Sequence, residues 1–390
     1  MRILWVSNHP AMSTAFGQQT ALWLPRLRTA GHEVALFAFA GCEGAVSRLS
    51  DGTLVFPRLR DPYGNDAVQG HAEYFNADLV LTLVDPHVLD PEVYAKLPWC
   101  AWAPIDATPC PPNTARSLRA ARWIWTPARF GQQQVRAAGM DAAYVPHGVD
   151  GRAFRPLDRA AARRVVEQAT GAKLDGKFLV AMNAANTSRP SRKGFYEAFA
   201  AFRMFSDAHP DSALYVHAER HGAFGGEDLP QVAALVGLDP GEIVYPPQYQ
   251  LVCGMLGPEY LAAVYSAADV FLSASHGEGF GVPSVEAQMC GCPFVVADNS
   301  AQPEVGGRLG QPAATVPYMP FPGMTWARPS VDGLRRGLEW AMDKRDGDGL
   351  RAAVRAHAMA FDADRVFREH LGPALARIED EVKPRKDNAR

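Results

Sequence analysis

Two rhythms of apolar and polar positions alternate along this 390-residue chain. Short runs rich in β-branched and aromatic residues predict strands at 3–7, 33–39, 79–84, 100–103, 123–126 and 143–146. Between them, helical spacing appears near 17–29, 113–121 and 129–138. Strand then helix, repeated, is the grammar of a parallel sheet, because parallel neighbours need a long crossover connection. The first half therefore predicts one doubly wound α/β sheet.

The rhythm breaks in a polar, Arg- and Ala-rich stretch after Asp150 and restarts with an apolar run at Phe178. Further strands are expected at 213–217, 243–245, 269–273 and 293–297, with helices near 193–208, 258–267, 283–290 and 331–343. We expect an N-terminal domain over 1–148, a linker over 149–176, a second α/β domain over 177–360, and a terminal helix with a charged tail over 361–390. The terminal helix should break at Gly372-Pro373. Strands of such sheets present ligands at their carboxyl ends, so two Rossmann-like sheets in tandem predict an interdomain cleft holding the site.

Composition narrows the class. With 47% apolar, 10% aromatic and 21% charged residues, the chain is an ordinary globular protein, not a disordered segment or a coiled coil. Its 39 basic residues against 42 acidic ones lack the cationic excess of a protein that grips nucleic acid through phosphates. The apolar run Ile3-Leu4-Trp5-Val6 is too short for a secretion signal, and no run reaches the ~20 apolar residues of a transmembrane segment. Six cysteines are scattered, and Cys290-Gly291-Cys292 lacks a second pair for zinc. Reduced thiols and a cytoplasmic address are expected.

The most informative segment is Ser273-Ala274-Ser275-His276-Gly277-Glu278-Gly279-Phe280-Gly281-Val282-Pro283-Ser284-Val285-Glu286, joining a strand to a helix. Its glycines let backbone N–H groups approach an anion closely, and Pro283 suits a first helical turn. Glu278 and Glu286 stand eight residues apart, one in the loop and one within the helix. Beside a diphosphate, carboxylates repel. Against hydroxyls, an ionised carboxylate accepts charge-assisted hydrogen bonds of ~1.5–3 kcal/mol each. A ligand with sugars flanking a phosphate meets both demands.

This segment resembles that of the family 4 retaining glycosyltransferases of the GT-B fold, in which two glutamates are separated by seven residues. Tyr144-Val145-Pro146-His147-Gly148-Val149-Asp150 and Pro303-Glu304-Val305-Gly306-Gly307 are similar to further segments of the family. The resemblance implies that Glu286 binds the ribose of a nucleotide sugar. It assigns the donor sugar to Glu278 and to the backbone of Gly279, Phe280, Gly281 and Val282. It also implies a metal-independent, hexosyltransferase-like activity that uses the nucleotide sugar as substrate and needs no cofactor or metal.

Without a metal, a departing nucleoside diphosphate must be stabilised by cations and helix dipoles. Lys193, in Arg189-Pro190-Ser191-Arg192-Lys193-Gly194, matches the family's lysine, whereas Ser188 stands where the family has its arginine. Arg189 or Arg192 must substitute, with Arg189 ranked ahead because adjacent side chains in a loop generally diverge. Asp106 follows a first-domain strand where relatives carry histidine, and its role stays open between orienting the acceptor and binding the sugar. Gly17 opens a helix after the first strand and resembles the family's acceptor-side loop, offering close backbone approach. His147 is a further candidate.

Two aspartate-any-aspartate triplets, at 346–348 and 362–364, are set aside because both lie in the C-terminal helical region rather than after a strand. Six of the eight tryptophans fall in the first domain, where core packing is expected ahead of stacking on an acceptor. The resulting expectation is a retaining transfer of a sugar from a nucleotide donor to an acceptor hydroxyl. The acceptor is left open among glycan, lipid, protein and modified nucleic acid. A degenerate GT-B protein that binds nucleotide or glycan as a non-catalytic partner, or a GT-B epimerase, is the alternative.

Overall fold

The structure, a computed structural model, describes residues 1–307, 309–345 and 349–382. The chain forms two compact units. The first comprises Met1–Ile105, Pro109–Gly148 and the chain from Ala363; the second comprises Asp106–Thr108 and Val149–Asp362.

The first unit is built on strands β1 (Arg2–Asn8), β2 (Glu33–Ala40), β3 (Ser47–Arg48), β4 (Leu54–Pro57), β5 (Leu79–Leu83), β6 (Trp99–Trp102), β7 (Trp123–Thr126) and β8 (Ala143–Tyr144). They lie in the order β3-β4-β2-β1-β5-β6-β7-β8, parallel except for the short β3. Alternation along β1 sends Ile3 and Trp5 to one core and Leu4 and Val6 to the other, so both faces are covered. Trp5, Trp23, Trp99 and Trp102 are fully buried, so these four offer no face for an acceptor to stack on, whereas Trp123 is partly exposed.

The first unit's core also takes Val366, Leu371, Leu375 and Ile378 from the end of the chain. The terminal region does not break at Gly372-Pro373. A single π-helical turn, Phe367–Leu371, carries Ala363–Val366 into the helix Gly372–Val382. Pro373, which has no N–H to donate, directly follows that π-helical turn, the irregular step at which the helix passes the proline. The charged tail from Lys383 lies outside the described residues.

The second unit carries β9 (Phe178–Asn183), β10 (Ser212–His217), β11 (Ile243–Val244), β12 (Val270–Ser273), β13 (Phe294–Ala297) and β14 (Gln311–Ala313), all parallel, in the order β11-β10-β9-β12-β13-β14. Phe195, Phe199, Phe202 and Phe205 of the helix Phe195–Ala208 fill one face of this sheet. The antiparallel hairpin β15 (Thr315–Phe321) and β16 (Met324–Pro329) follows β14.

The stretch 149–176, read as a linker, contains the helix Arg159–Thr170, which packs on the helix Pro258–Ala267 within this unit. Its apolar stripe is thin, with only Ala162 and Val166 buried, so polar residues dominate its pattern. Its ends are nonetheless well marked, by Asp158 accepting from the N–H of Ala161 and by left-handed Gly171.

That helix is tied to the sheet by Asp269, whose fully buried carboxylate pairs with Arg159, with Arg163 at 2.9 Å and with Arg345 at 3.0 Å. It also accepts from the N–H of Leu179 at 2.8 Å. Three guanidiniums gathered on one acid repel each other once the acid is gone. Asp269→Ala is expected to cost about 3–5 kcal/mol of unfolding free energy in urea melts, as for other buried pairs stripped of one partner.

Candidate active site

The site is assembled from two loops at the carboxyl ends of β9 and β12. The β12 loop runs from Ala274 to Gly281, where a left-handed φ of 95° turns the chain into the helix Val282–Met289. Its first-turn amides have no intrahelical acceptors. Gly277 has no room for a side chain: a Cβ there would lie 2.3 Å from the carbonyl of Asp106 and 2.9 Å from the Trp326 ring. The N–H of Glu278 donates to Ser300 Oγ at 2.9 Å, and Ser300 itself holds the left-handed backbone, φ 55°, that non-glycine residues rarely adopt.

The β9 loop, from Ala184 to Gly194, is pinned by Asn186, whose amide donates to the carbonyls of Glu219 at 2.8 Å and Glu227 at 2.7 Å. It meets the β12 loop where the N–H of His276 donates to the carbonyl of Arg192 at 2.7 Å. These fixed loops bring four charged groups together. Lys193 Nζ makes a short ion pair with Glu278, Arg192 lies 3.7 Å from the same carboxylate, and Asp106 lies 3.9 Å from Arg192. The adjacent side chains expected to diverge thus converge on one acid, whereas Arg189 is exposed.

Burial pushes the Glu278 carboxyl up, but Lys193 and Arg192 outweigh it and hold the group down at about 2. Burial pulls the Lys193 ammonium below its ordinary value, Arg192 adds to this, and Glu278 offsets only part. Deeper in the helix, Glu286 is 3% exposed and accepts from Tyr265 Oη at 3.0 Å, which in turn accepts from Asn183 Nδ2 at 2.8 Å. Burial raises the Glu286 carboxyl to about 7, against the opposing hydrogen bond from Tyr265. The two glutamates are therefore shifted in opposite directions.

Gly279, Phe280 and Val282 follow in the same loop and helix start, and all three are buried, with the Phe280 ring packed edge-on against Phe361 at 5.4 Å. Gly17 and His147 belong to the first unit. The Gly17 amide offered to a ligand donates instead to Thr14 Oγ1 at 3.0 Å, and the glycine is required because a Cβ would sit 2.4 Å from the carbonyl of Met12. His147 packs against Trp102, and burial lowers its imidazole to about 3, so it stays neutral.

Of the two aspartate triplets, Asp346-Gly347-Asp348 lies outside the described residues. Asp362 accepts from the Gly151 N–H at 3.2 Å and Asp364 pairs with Arg26 at 2.8 Å. Among the described residues, no group of three or more His, Cys, Asp or Glu side chains is placed to hold a metal ion. No helix among them is long and apolar enough to cross a membrane.

Residues 248–311 match the family model described as Glycosyl transferases group 1. The D-inositol 3-phosphate glycosyltransferase of Segniliparus rotundus is 34% identical over 154 residues, 39% of this chain and 31% of that protein. The mannosylfructose-phosphate synthase of Agrobacterium fabrum is 28% identical over 155 residues, 39% of this chain and 31% of its own length. The matched stretch thus spans about a third of these curated relatives. In fold, the sucrose-phosphate synthase of Thermosynechococcus elongatus superposes with a TM-score of 0.76 at 16% identity, covering 98% of this chain and all of that one. Anabaena HepE in complex with UDP-glucose gives 0.70 at 16% identity, covering 97% of this chain and all of its own. The fold is that of the GT-B glycosyltransferases. Within that fold, residues 248–311, which hold the glutamate pair, are the stretch similar to the group 1 family model.

Proposed function

We propose that this protein is a metal-independent, retaining glycosyltransferase that moves a sugar from a nucleotide-sugar donor to an acceptor hydroxyl, working without a cofactor. The observation that carries this reading is the convergence of Arg192 and Lys193 on Glu278 beside a glycine-started helix, with buried Glu286 a few residues further on. The cations and the helix amides receive the diphosphate and take up the charge that develops as it leaves. Glu278, ionised at neutral pH, accepts from donor-sugar hydroxyls. Glu286 accepts from the ribose.

Transfer breaks the bond between the sugar's anomeric carbon and the phosphate oxygen. The acceptor oxygen bonds to that carbon on the same face, and its proton passes to the departing phosphate oxygen. No side chain is assigned as general base. Asp106, through its proximity to Arg192, orients the acceptor or the sugar. The reading places the chain in the cytoplasm, consistent with its free cysteines. The test is a screen of nucleotide sugars by thermal shift and hydrolysis, starting with UDP-glucose because HepE holds it, then mass spectrometry of candidate acceptors. Binding without turnover on any acceptor would point to a non-catalytic partner role, and a sugar epimerised without transfer would point to an epimerase.

Glu286 gives the reading a pH signature. Its carboxyl, raised to about 7, offers both oxygens as charged acceptors to a diol only once it is ionised, so donor affinity is expected to climb between about pH 6 and about pH 8 and then flatten. Calorimetric titration of the nucleotide across this range checks it, and Glu286→Gln should bind weakly with the slope removed. The stability linkage runs the other way. A carboxyl raised on folding favours the native state most below its unfolded value and loses that contribution as pH rises toward about 7. Glu278, lowered to about 2, contributes above its unfolded value and loses its contribution as pH falls toward about 2.

A further inference from the structure

The family-model match ends at residue 311, and the hairpin β15–β16 begins four residues later. It is nonetheless wired into the site. Tyr318 Oη bonds His276 Nδ1 at 2.7 Å, and the N–H of Ala327 donates to the carbonyl of His276 at 3.0 Å. Tyr318 and Trp326 are direct cross-strand partners, and Trp326 lies against Gly277, immediately before Glu278. Arg328 Nε reaches the buried carboxylate of Glu197 at 3.0 Å, and Glu197 lies 3.3 Å from His276 Nε2.

The same hairpin holds the segment that bears Asp106. Thr108 and Thr325 exchange two backbone hydrogen bonds, at 3.0 and 2.7 Å, an antiparallel bridge that joins Asp106–Thr108 to the second unit. One pair of strands therefore grips both the residue before Gly277 and the residue two after Asp106. Between these grips, the carboxylates of Asp106 and Glu278 face a single guanidinium, Arg192.

We propose that the hairpin Thr315–Pro329 sets donor-sugar specificity: by gripping His276 and Thr108 it fixes the spacing of Asp106 and Glu278, and with it which hexosyl groups fit against them. The proposal rests on the nucleotide-sugar reading above. Trp326 and Tyr318 are positioning residues that act through the loop they hold. The ribose is assigned to Glu286, deeper in the helix, and the diphosphate to Lys193 and the helix amides as well as to Arg192, whereas the hairpin grips His276 and Thr108, so the two parts of the donor are separable in experiment.

The test compares wild type with Trp326→Ala, Trp326→Phe and Tyr318→Phe, measuring the affinity for the bare nucleoside diphosphate and kcat/KM over a panel of sugars carried on that nucleotide. Trp326→Ala is expected to leave diphosphate affinity within about twofold while the preference for the best sugar over the next falls ~10-fold or more, the scale on which small misplacements act. Trp326→Phe should restore most of the preference, because an aromatic ring again fills the space against Gly277. Tyr318→Phe removes one hydroxyl from the His276 contact, and should shift the ranking in the same direction even if the alanine variant fails to fold. An unchanged ranking in the folded variants, or a parallel loss of diphosphate and sugar recognition, overturns the proposal alone. A wild-type protein that binds no nucleotide sugar overturns the underlying reading and the proposal with it.

Discussion

Lys193→Ala should lower turnover by ~10²–10³-fold while changing donor affinity far less, the loss associated with deleting one donor that stabilises developing charge. The ammonium lies in the β9 loop, largely buried, with its charge directed at Glu278 and at whatever anion joins it there. A cation that merely attracts the donor helps ground state and transition state equally and shows up in KM. One that meets charge as it forms on the leaving phosphate shows up in kcat. Single-turnover kinetics and nucleotide titration on the same preparation separate the two, and equal, small changes in both would remove the leaving-group role. Arg192, 3.7 Å from Glu278, remains to keep the carboxylate paired, so the variant should fold.

The second large effect is expected next door. Gly194→Ala places a Cβ 2.1 Å from the carbonyl oxygen and 2.9 Å from the carbonyl carbon of Ala274, at a backbone φ of 67°. Both obstacles are main chain, so no side-chain rotation relieves them. The variant should lose about 3 kcal/mol or more of stability, from left-handed strain and overpacking together. Turnover should fall as well, because Ala274 begins the loop that carries Glu278. Gly171→Ala is the control: its φ of 74° is similar, yet nothing lies within 4 Å. Its cost should be confined to the conformational term, ~1 kcal/mol. Urea melts of the two variants side by side test whether contact or conformation dominates.

Much of the sheet architecture was legible because buried parallel strands write themselves as short apolar runs. Phe178–Asn183 and Leu79–Leu83 are found where the runs stand. Elements whose stability comes from elsewhere were not legible. Ser47–Arg48 and Leu54–Pro57 are short, the former exposed and edge-paired, and Arg159–Thr170 hides a two-residue stripe among arginines that serve Asp269. The hairpin went unread because Pro317, Pro320, Pro322 and Pro329 punctuate it like a loop.

At the site, Glu278 and Lys193 stood out because they sit beside glycines in loops after strands, and Glu286 because it stands eight residues beyond Glu278. Tyr265 and Asn183 did not, since a tyrosine within a helix and an asparagine ending a strand look like packing and punctuation until Tyr265 is found between Asn183 and Glu286 in space. The choice between Arg189 and Arg192 turned on side-chain directions in a loop, which the order of residues does not encode.

The far end of the chain supplies Val366, Leu371, Leu375 and Ile378 to the core that holds Trp5 and Trp23. A polypeptide emerging from the ribosome amino end first must therefore make its opening sheet hundreds of residues before the helix that seals it. The intervening unit, continuous but for Asp106–Thr108, has nearly all its own parts sooner, so the order of maturation runs from the middle outward. Nascent chains stalled short of Ala363 should show the opening tryptophans still quenched by water and open to protease, while the β9–β14 sheet already resists it.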